Sequence, residues 1–170
     1  MGITSGMYQK DAFCSFCGSP FPADVPLPRT CAHCGNTTYR NPLPVAVVLV
    51  PVEGKGLLLI RRGIEPRRGQ LALPGGFIGV GESWQQAGAR EVLEETGAVL
   101  DPDAITLFDA RSAPDGTLLV FGLAPPLAAG DVPDTPPDDD TETEEIFVAR
   151  EPVPLAFPLH TQAAAKFWAG

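Results

Sequence analysis

Three glutamates, Glu91, Glu94 and Glu95, stand at i, i+3 and i+4 in a stretch rich in helix-forming residues. On a helix this spacing gathers their carboxylates within about one third of the circumference. Like charges so placed repel one another by about a few tenths of a kcal/mol per pair. A solvated acidic face tolerates that cost, and divalent cations seated among the carboxylates would explain it. Cations held there could neutralise anionic oxygens, activate water and stabilise a leaving group. A second constellation is Cys14-x2-Cys17-x13-Cys31-x2-Cys34, the four cysteines of the chain. Its two knuckles offer four thiolates, the donor set of tetrahedral Zn2+, and each pair is followed by a glycine, Gly18 or Gly35, that eases the turn. Four thiolates leave no position for water, which makes such a zinc structural rather than catalytic. Disulfides are the alternative, and the lack of secretory features counts against them. His33, between two of the cysteines, reads as a loop residue.

These groups need elements to carry them. The stiff stretch Arg40-Asn41-Pro42-Leu43-Pro44 separates the cysteine segment from a more apolar remainder, giving a zinc ribbon over 1–41 and a main domain over 42–170. In the main domain, Val45 to Val50 and Leu57 to Ile60 read as strands joined in a hairpin through Glu53-Gly54-Lys55-Gly56. A short apolar piece, Leu71 to Leu73, ends in Pro74-Gly75-Gly76. The spacing then predicts a helix from Ser83 to Glu95, opened by a capping box of Ser83 with Gln86, closed by Gly97, and packed through Ala89, Val92 and Leu93. Ala104 to Ala110, Leu118 to Leu123 and Ile146 to Ala149 read as strands, and His160 to Trp168 as a terminal helix. The turn Ala113-Pro114-Asp115-Gly116 separates the first two of these strands. Helices interleaved with strands make this an α/β or α+β domain.

The composition bounds the function. A length of 170 residues accommodates one domain with a small appendage, and the formal charge of -9 comes largely from eight carboxylates between Asp131 and Glu145. No basic surface for a polyanion is evident, so nucleic acid is not an expected partner; the ribbon's few bases, Lys10, Arg29 and Arg40, leave that alternative thinly supported. No signal peptide or membrane-length apolar run occurs, and a cytoplasmic location is expected. Met7 reads as a second candidate start, which would make the six residues before it an artificial extension.

The residues around the predicted helix form an ordered set: Gly76-x5-Glu82-x7-Arg90-Glu91-Val92-x-Glu94-Glu95-x-Gly97-Ala98, preceded by Leu73-Pro74-Gly75. This set resembles the Nudix box, G-x5-E-x7-R-E-U-x-E-E-x-G-U with U apolar, at every fixed position. The resemblance covers about residues 42 to 168. It implies an α/β/α sandwich with a mixed sheet and a metal-dependent hydrolase of diphosphate bonds that uses Mg2+ or Mn2+. By similarity, Glu91, Glu94 and Glu95 are metal ligands, one of them also serving the attacking water, and the Gly76 carbonyl completes a coordination sphere. Glu82 and Arg90 belong to the same catalytic set as supporting residues, with Arg90 placed to orient Glu94 one turn away.

Members of the family often add a glutamate from a later loop. Glu142, Glu144 and Glu145 are available, and Glu145, nearest the following strand, is the expected ligand; a solvated acidic loop is the plain alternative. Arg61 and Arg62 follow a strand with side chains on opposite faces, so one of them, Arg61, is a candidate for a substrate phosphate. Arg67 and Arg68 are loop alternatives. Phe77, Trp84 and Phe121 are candidates either for the core or, Phe77 first, for stacking a base.

A four-cysteine ribbon ahead of such a domain is similar in layout to NADH pyrophosphatases, with Tyr39-Arg40-Asn41-Pro42 at the junction. The chain departs from the Ser-Gln-Pro-Trp motif of those enzymes, reading Asp109-Ala110-Arg111-Ser112-Ala113-Pro114 in that region, while Pro114 lies near where ADP-ribose pyrophosphatases have a proline. The expected substrate is therefore a nucleoside diphosphate linked to another group, ADP-ribose or an NAD(H)-like dinucleotide. Nucleoside triphosphate pyrophosphohydrolysis is the alternative chemistry, and a non-catalytic nucleotide sensor or ribbon-mediated binding protein is the alternative class. A homodimer is among the arrangements the family offers.

Overall fold

The structure, a computed structural model, describes residues 10–54, 56–138 and 141–170. The candidate start at Met7, and Asp139 and Asp140 of the acidic run, lie outside the described residues. The chain forms two compact units, Met1–Asn41 and Pro42–Gly170. In the first, β1 (Arg29–Thr30) pairs antiparallel with β2 (Thr37–Thr38), which brings the second cysteine pair into a tight hairpin.

The second unit is built on two sheets. β3 (Leu43–Leu49) lies at the centre of one, parallel to β9 (Thr117–Leu123) and antiparallel to β7 (Gly75–Phe77), with β8 (Thr106–Ser112) beyond β9. In the other, β5 (Gly56–Arg62) pairs antiparallel with β4 (Pro51–Val52), β6 (Leu71–Ala72) and β10 (Thr143–Ala149). A short 3-10 turn, Pro102–Ala104, precedes β8. The expected hairpin is corrected in one respect: β5 turns back onto β4, whereas the long strand β3 belongs to the other sheet. The reason is at Val50 and Pro51, where the chain leaves the first ladder and proline removes a ladder donor.

Helix α1 (Trp84–Thr96) covers one face of the sheets and α2 (Pro158–Trp168) the other. Alternation along the strands makes the sandwich. Val47 and Leu49 of β3, Leu57 and Leu59 of β5, and Leu119 and Phe121 of β9 join Ala163 and Ala164 of α2 in one core. Their neighbours Val48 and Leu58 join Val92 of α1 in the other. Burial on both faces is why β3 and β5 read as continuous apolar runs in the sequence. Among the described residues no helix is long and apolar enough to cross a membrane.

A carboxylate site on the first helix and a four-cysteine cluster

The start of α1 is specified locally. Ser83 accepts the Gln86 N–H at 3.2 Å and the Gln86 side chain accepts the Ser83 N–H at 2.8 Å, a complete capping box. Gly97 ends the helix at φ 74, the left-handed conformation that glycine adopts at least cost. The buried face consists of Ala87, Gly88, Val92, Glu95 and Thr96. Two expectations are corrected here. Leu93 is 45% exposed rather than core, and Glu95, 5% exposed, lies on the buried side rather than on an outward acidic face. Glu95 is buried because it has backbone work: its carboxylate accepts the Gly75 N–H at 2.9 Å, which ties the end of the helix to the strand that precedes it.

Arg90 organises the remaining carboxylates. Its Nη2 donates to Glu82 Oε1 at 2.9 Å and to the Phe77 carbonyl at 3.0 Å, and its Nη1 donates to Glu91 Oε1 at 2.8 Å and Glu94 Oε2 at 3.0 Å. One guanidinium thus holds three carboxylates and a strand carbonyl in fixed relation. Glu82 also accepts the Gly79 N–H at 2.5 Å. These bonds, Arg90 first and the Gly79 amide second, hold the Glu82 carboxyl below the usual carboxylate range. A side chain at position 79 would crowd the Glu82 carboxylate at 3.0 Å, so the glycine in this segment keeps that contact open.

Glu91 has the opposite balance. Burial raises its carboxyl, the hydrogen bond and charge of Arg90 oppose that rise, and the charges of Glu94 and Glu142 reinforce it. It faces Gly76 so closely that a Cβ there would meet the Glu91 carboxylate in hard contact. Gly76 itself is fixed by pairing with Ala46 across β7 and β3. Glu91, Glu94 and Glu95 therefore meet the Gly75–Phe77 strand through hydrogen bonds, through Arg90, or by direct approach. Phe77, the next residue, is 61% exposed, so the core reading of this aromatic is corrected, while Phe121 is fully buried and Trp84 packs in the core under α1.

The later-loop residues separate. On β10, Phe147 packs in the core that holds α2, while Ile146 and Val148 pack in the core that holds α1. Alternation sets Glu145 on the α2 face with Phe147. There it pairs with Arg61, its cross-strand partner, with Nε 2.6 Å from Oε2. The structure therefore brings Glu145 and Arg61 to each other rather than Glu145 to the helix carboxylates. Glu142 is the acidic-run residue whose charge acts on Glu91, and its carbonyl accepts the Gly63 N–H at 2.6 Å. Sequence position alone could not select it, because a bulge between Thr143 and Glu145 resets which residues share a face.

In the ribbon, Cys14, Cys17, Cys31 and Cys34 converge with all four sulfurs within 4.8 Å of one another, and the Cys14–Cys34 and Cys17–Cys31 pairs are 3.7 Å apart. Zinc bound to thiolates at about 2.3 Å in a tetrahedron requires sulfur pairs about 3.8 Å apart, so the cluster fits that ion. Hydrogen bonds from Ser19 draw the Cys17 thiol down to about 5, and the backbone N–H groups of Cys17 and Phe16 lower Cys14. Thiolates are the form a metal binds.

Two sheets lie between two helices, and the capped first helix brings carboxylates, which are hard oxygen donors, to a glycine-rich strand. The chain belongs to the Nudix family: the NUDIX domain matches residues 42–168. Among curated relatives it is 35% identical over 91 residues to the NAD-capped RNA hydrolase NudC of Salmonella typhi, a match spanning 53% of this chain and 35% of that protein. The chain thus covers about a third of the length of the curated relatives it matches. A crystal structure of a NUDIX hydrolase from Nitrosomonas europaea superposes with a TM-score of 0.70 and 29% identity, covering 92% of this chain and 90% of that one. The NUDIX domain of Shewanella oneidensis NrtR, crystallised with ADP ribose, shares the fold at 20% identity, with a TM-score of 0.59 over 78% of this chain and 91% of that one.

Proposed function

We propose that this protein is a metal-dependent pyrophosphohydrolase that cleaves the diphosphate linkage of an NAD(H)-like dinucleotide or of ADP-ribose. The observation that carries the reading is the approach of Glu91 and Glu95 to the Gly75–Phe77 strand, with Glu94 joined to Glu91 through Arg90 and the charge of Glu142 acting on Glu91. The name of the NudC relatives, hydrolases of an NAD-capped RNA, supports the dinucleotide over a nucleoside triphosphate.

In this reading Glu91, Glu94, Glu95 and the Gly76 backbone hold Mg2+ or Mn2+, and Glu142 rather than Glu145 supplies the carboxylate from the later loop. The metal ion, when bound, neutralises diphosphate oxygens and lowers the pKa of a coordinated water. Glu91, whose carboxyl is raised by burial, is suited to take a proton from the attacking water. Arg90 and Glu82 keep these carboxylates aligned through the bonds that bridge α1 and β7. Phe77 presents an exposed ring one residue beyond Gly76, placed to stack on a base. The four cysteines hold a structural Zn2+.

The test is product identification after incubation with Mg2+ and a panel of NADH, NAD, ADP-ribose, nucleotide sugars and nucleoside triphosphates, with Glu94→Gln as control. Mononucleotide products from one diphosphate compound, absent in the control, are expected. Binding of the panel without hydrolysis of any member would overturn the enzymatic reading in favour of a sensor.

A further inference from the structure

The two halves of the four-cysteine cluster follow one pattern, Cys14-Ser15-Phe16-Cys17-Gly18-Ser19 and Cys31-Ala32-His33-Cys34-Gly35-Asn36. Their backbones close in the same way. Gly18 N–H donates to the Cys14 carbonyl and Gly35 N–H to the Cys31 carbonyl, both at 2.9 Å, with the glycines at φ 73 and φ 74. Cys14 N–H donates to the Ser19 carbonyl at 2.8 Å and Cys31 N–H to the Asn36 carbonyl at 2.9 Å. Each knuckle therefore pins the backbone of the residue two places beyond its second cysteine.

The cysteines fall into an inner and an outer pair. Cys14 and Cys31, the first of each knuckle, are 3% exposed, whereas Cys17 is exposed and Cys34 half-buried. The close sulfur contacts, Cys14 with Cys34 and Cys17 with Cys31, each join the inner thiol of one knuckle to the outer thiol of the other. Burial thus shields two of the four ligand atoms and leaves two nearer to water. Those two have side-chain partners: Ser19 Oγ lies 3.4 Å from Cys17 Sγ, and Asn36 Nδ2 donates to Cys34 Sγ at 3.5 Å. A metal-bound thiolate has no proton to give, so the Ser19 hydroxyl is the donor in the metal-bound form. The turns do not need these side chains, because their closing bonds use only the carbonyls of Ser19 and Asn36. Ser15 supplies the contrast within one knuckle: its hydroxyl lies 3.1 Å from Thr38 Oγ1 and serves the fold of the ribbon.

We propose that Ser19 and Asn36 are positioning residues of the zinc site, each donating a side-chain hydrogen bond to the thiolate of its knuckle that burial leaves open. The proposal rests on the reading of the four cysteines as zinc ligands. Such a bond fixes the direction of the sulfur lone pairs and keeps water and competing ligands from the two outer thiolates, and partners of this kind are worth about 10–100-fold in metal affinity.

The test is zinc affinity of the full chain, measured by competition with a chromophoric chelator, for the wild type, Ser19→Ala, Ser19→Thr, Asn36→Ala and Ser15→Ala. Ser19→Ala and Asn36→Ala are expected to bind zinc about tenfold more weakly, while Ser19→Thr, which keeps the hydroxyl, and Ser15→Ala stay within about threefold of the wild type. Co2+ in place of zinc gives a second readout. All variants are expected to keep the spectrum of a tetrahedral four-thiolate site, and in the two weakened variants the sulfur-to-cobalt charge-transfer band moves to lower energy, since loss of a hydrogen bond raises the sulfur lone pair. A role confined to the turn would leave that band in place. The proposal is overturned if Ser19→Ala or Asn36→Ala holds zinc as tightly as the wild type, if Ser15→Ala loosens it as much as Ser19→Ala, if Ser19→Thr behaves as Ser19→Ala, or if the band is unmoved. A wild-type protein that takes up no zinc at all would strike the reading of the cysteines as ligands, so the two failures are told apart.

Discussion

Gly76→Ala tests the site with one methyl group. The new Cβ would fall against the carboxyl carbon and both oxygens of Glu91, while the backbone at position 76 needs no conformation denied to alanine, so the effect is purely steric. Glu91 has little room to yield. Its side chain is 16% exposed, and Oε1 is held by Arg90 Nη1 at 2.8 Å. Relief requires either a shift of β7, which Ala46 opposes through the ladder, or rotation of Glu91 away from Arg90. Overpacking of this kind costs about 1–3 kcal/mol, and loss of a charge-assisted hydrogen bond is of similar size before screening by solvent. A net destabilisation of about 2 kcal/mol in a unit of this size lowers Tm by about 5–10 °C. Activity suffers more, because misplacing a reacting group by about 1 Å can cost 10²-fold. The assay is Mg2+-dependent hydrolysis of the best member of the diphosphate panel, with Tm measured on the same preparations. Gly130→Ala is the control, since nothing lies within 4 Å of its added Cβ, and it is expected to leave both quantities unchanged. Wild-type turnover and wild-type Tm in Gly76→Ala would refute the claim that Glu91 is positioned against this glycine.

Three further outcomes follow from the geometry. Glu142→Gln is expected to lower Mg2+-dependent hydrolysis at least tenfold, whereas Glu145→Gln, which only breaks the exposed pair with Arg61, changes it less than threefold; steady-state rates over a Mg2+ titration decide, and the reverse order would return the loop ligand to Glu145. Cys31→Ser is expected to abolish stoichiometric zinc by elemental analysis, and a wild-type protein that lacks zinc while all four thiols react freely would sink the ribbon assignment. His160 is 6% exposed between Phe121 and Phe157; burial, helped by the charge of Arg62, lowers its imidazole from 6.5 to about 4. The unfolded chain therefore takes up the proton first, so stability falls as pH drops from about 6.5 toward 4, by about 3 kcal/mol in full. Thermal melts across that window should show this slope in the wild type and a flatter one in His160→Phe, and identical slopes would refute the assignment.

What was legible in the sequence was local. The capping box of Ser83 and Gln86, the glycine stop at Gly97 and the helix that carries the i, i+3, i+4 glutamates depend on residues within a turn or two of one another, and the structure presents each of them. What was not legible depends on partners distant in the chain. Glu95 is buried because Gly75, 20 residues earlier, supplies an amide to it, and Leu93 is exposed although its position suits a core face. The hairpin was misplaced for a similar reason. β3 finds its parallel partner at Thr117–Leu123, and a parallel pairing over such separation leaves no turn signature.

The later-loop glutamate shows how a sheet resolves what a sequence leaves equivalent. Glu142, Glu144 and Glu145 are interchangeable as residue types, and only the ladder tells them apart. Pairing of β10 with β5 fixes Glu145 opposite Arg61 on the face covered by α2, and Glu144 is taken by Arg68 of the arginine loop that follows β5. Glu142 lies just ahead of the strand and the bulge, and its charge acts on Glu91. The same segment therefore anchors the arginine loop through two ion pairs and a backbone bond. Exposed ion pairs contribute little stability, about 0–1 kcal/mol each, so their value here lies in register: they hold Glu144 and Glu145 against the arginine loop.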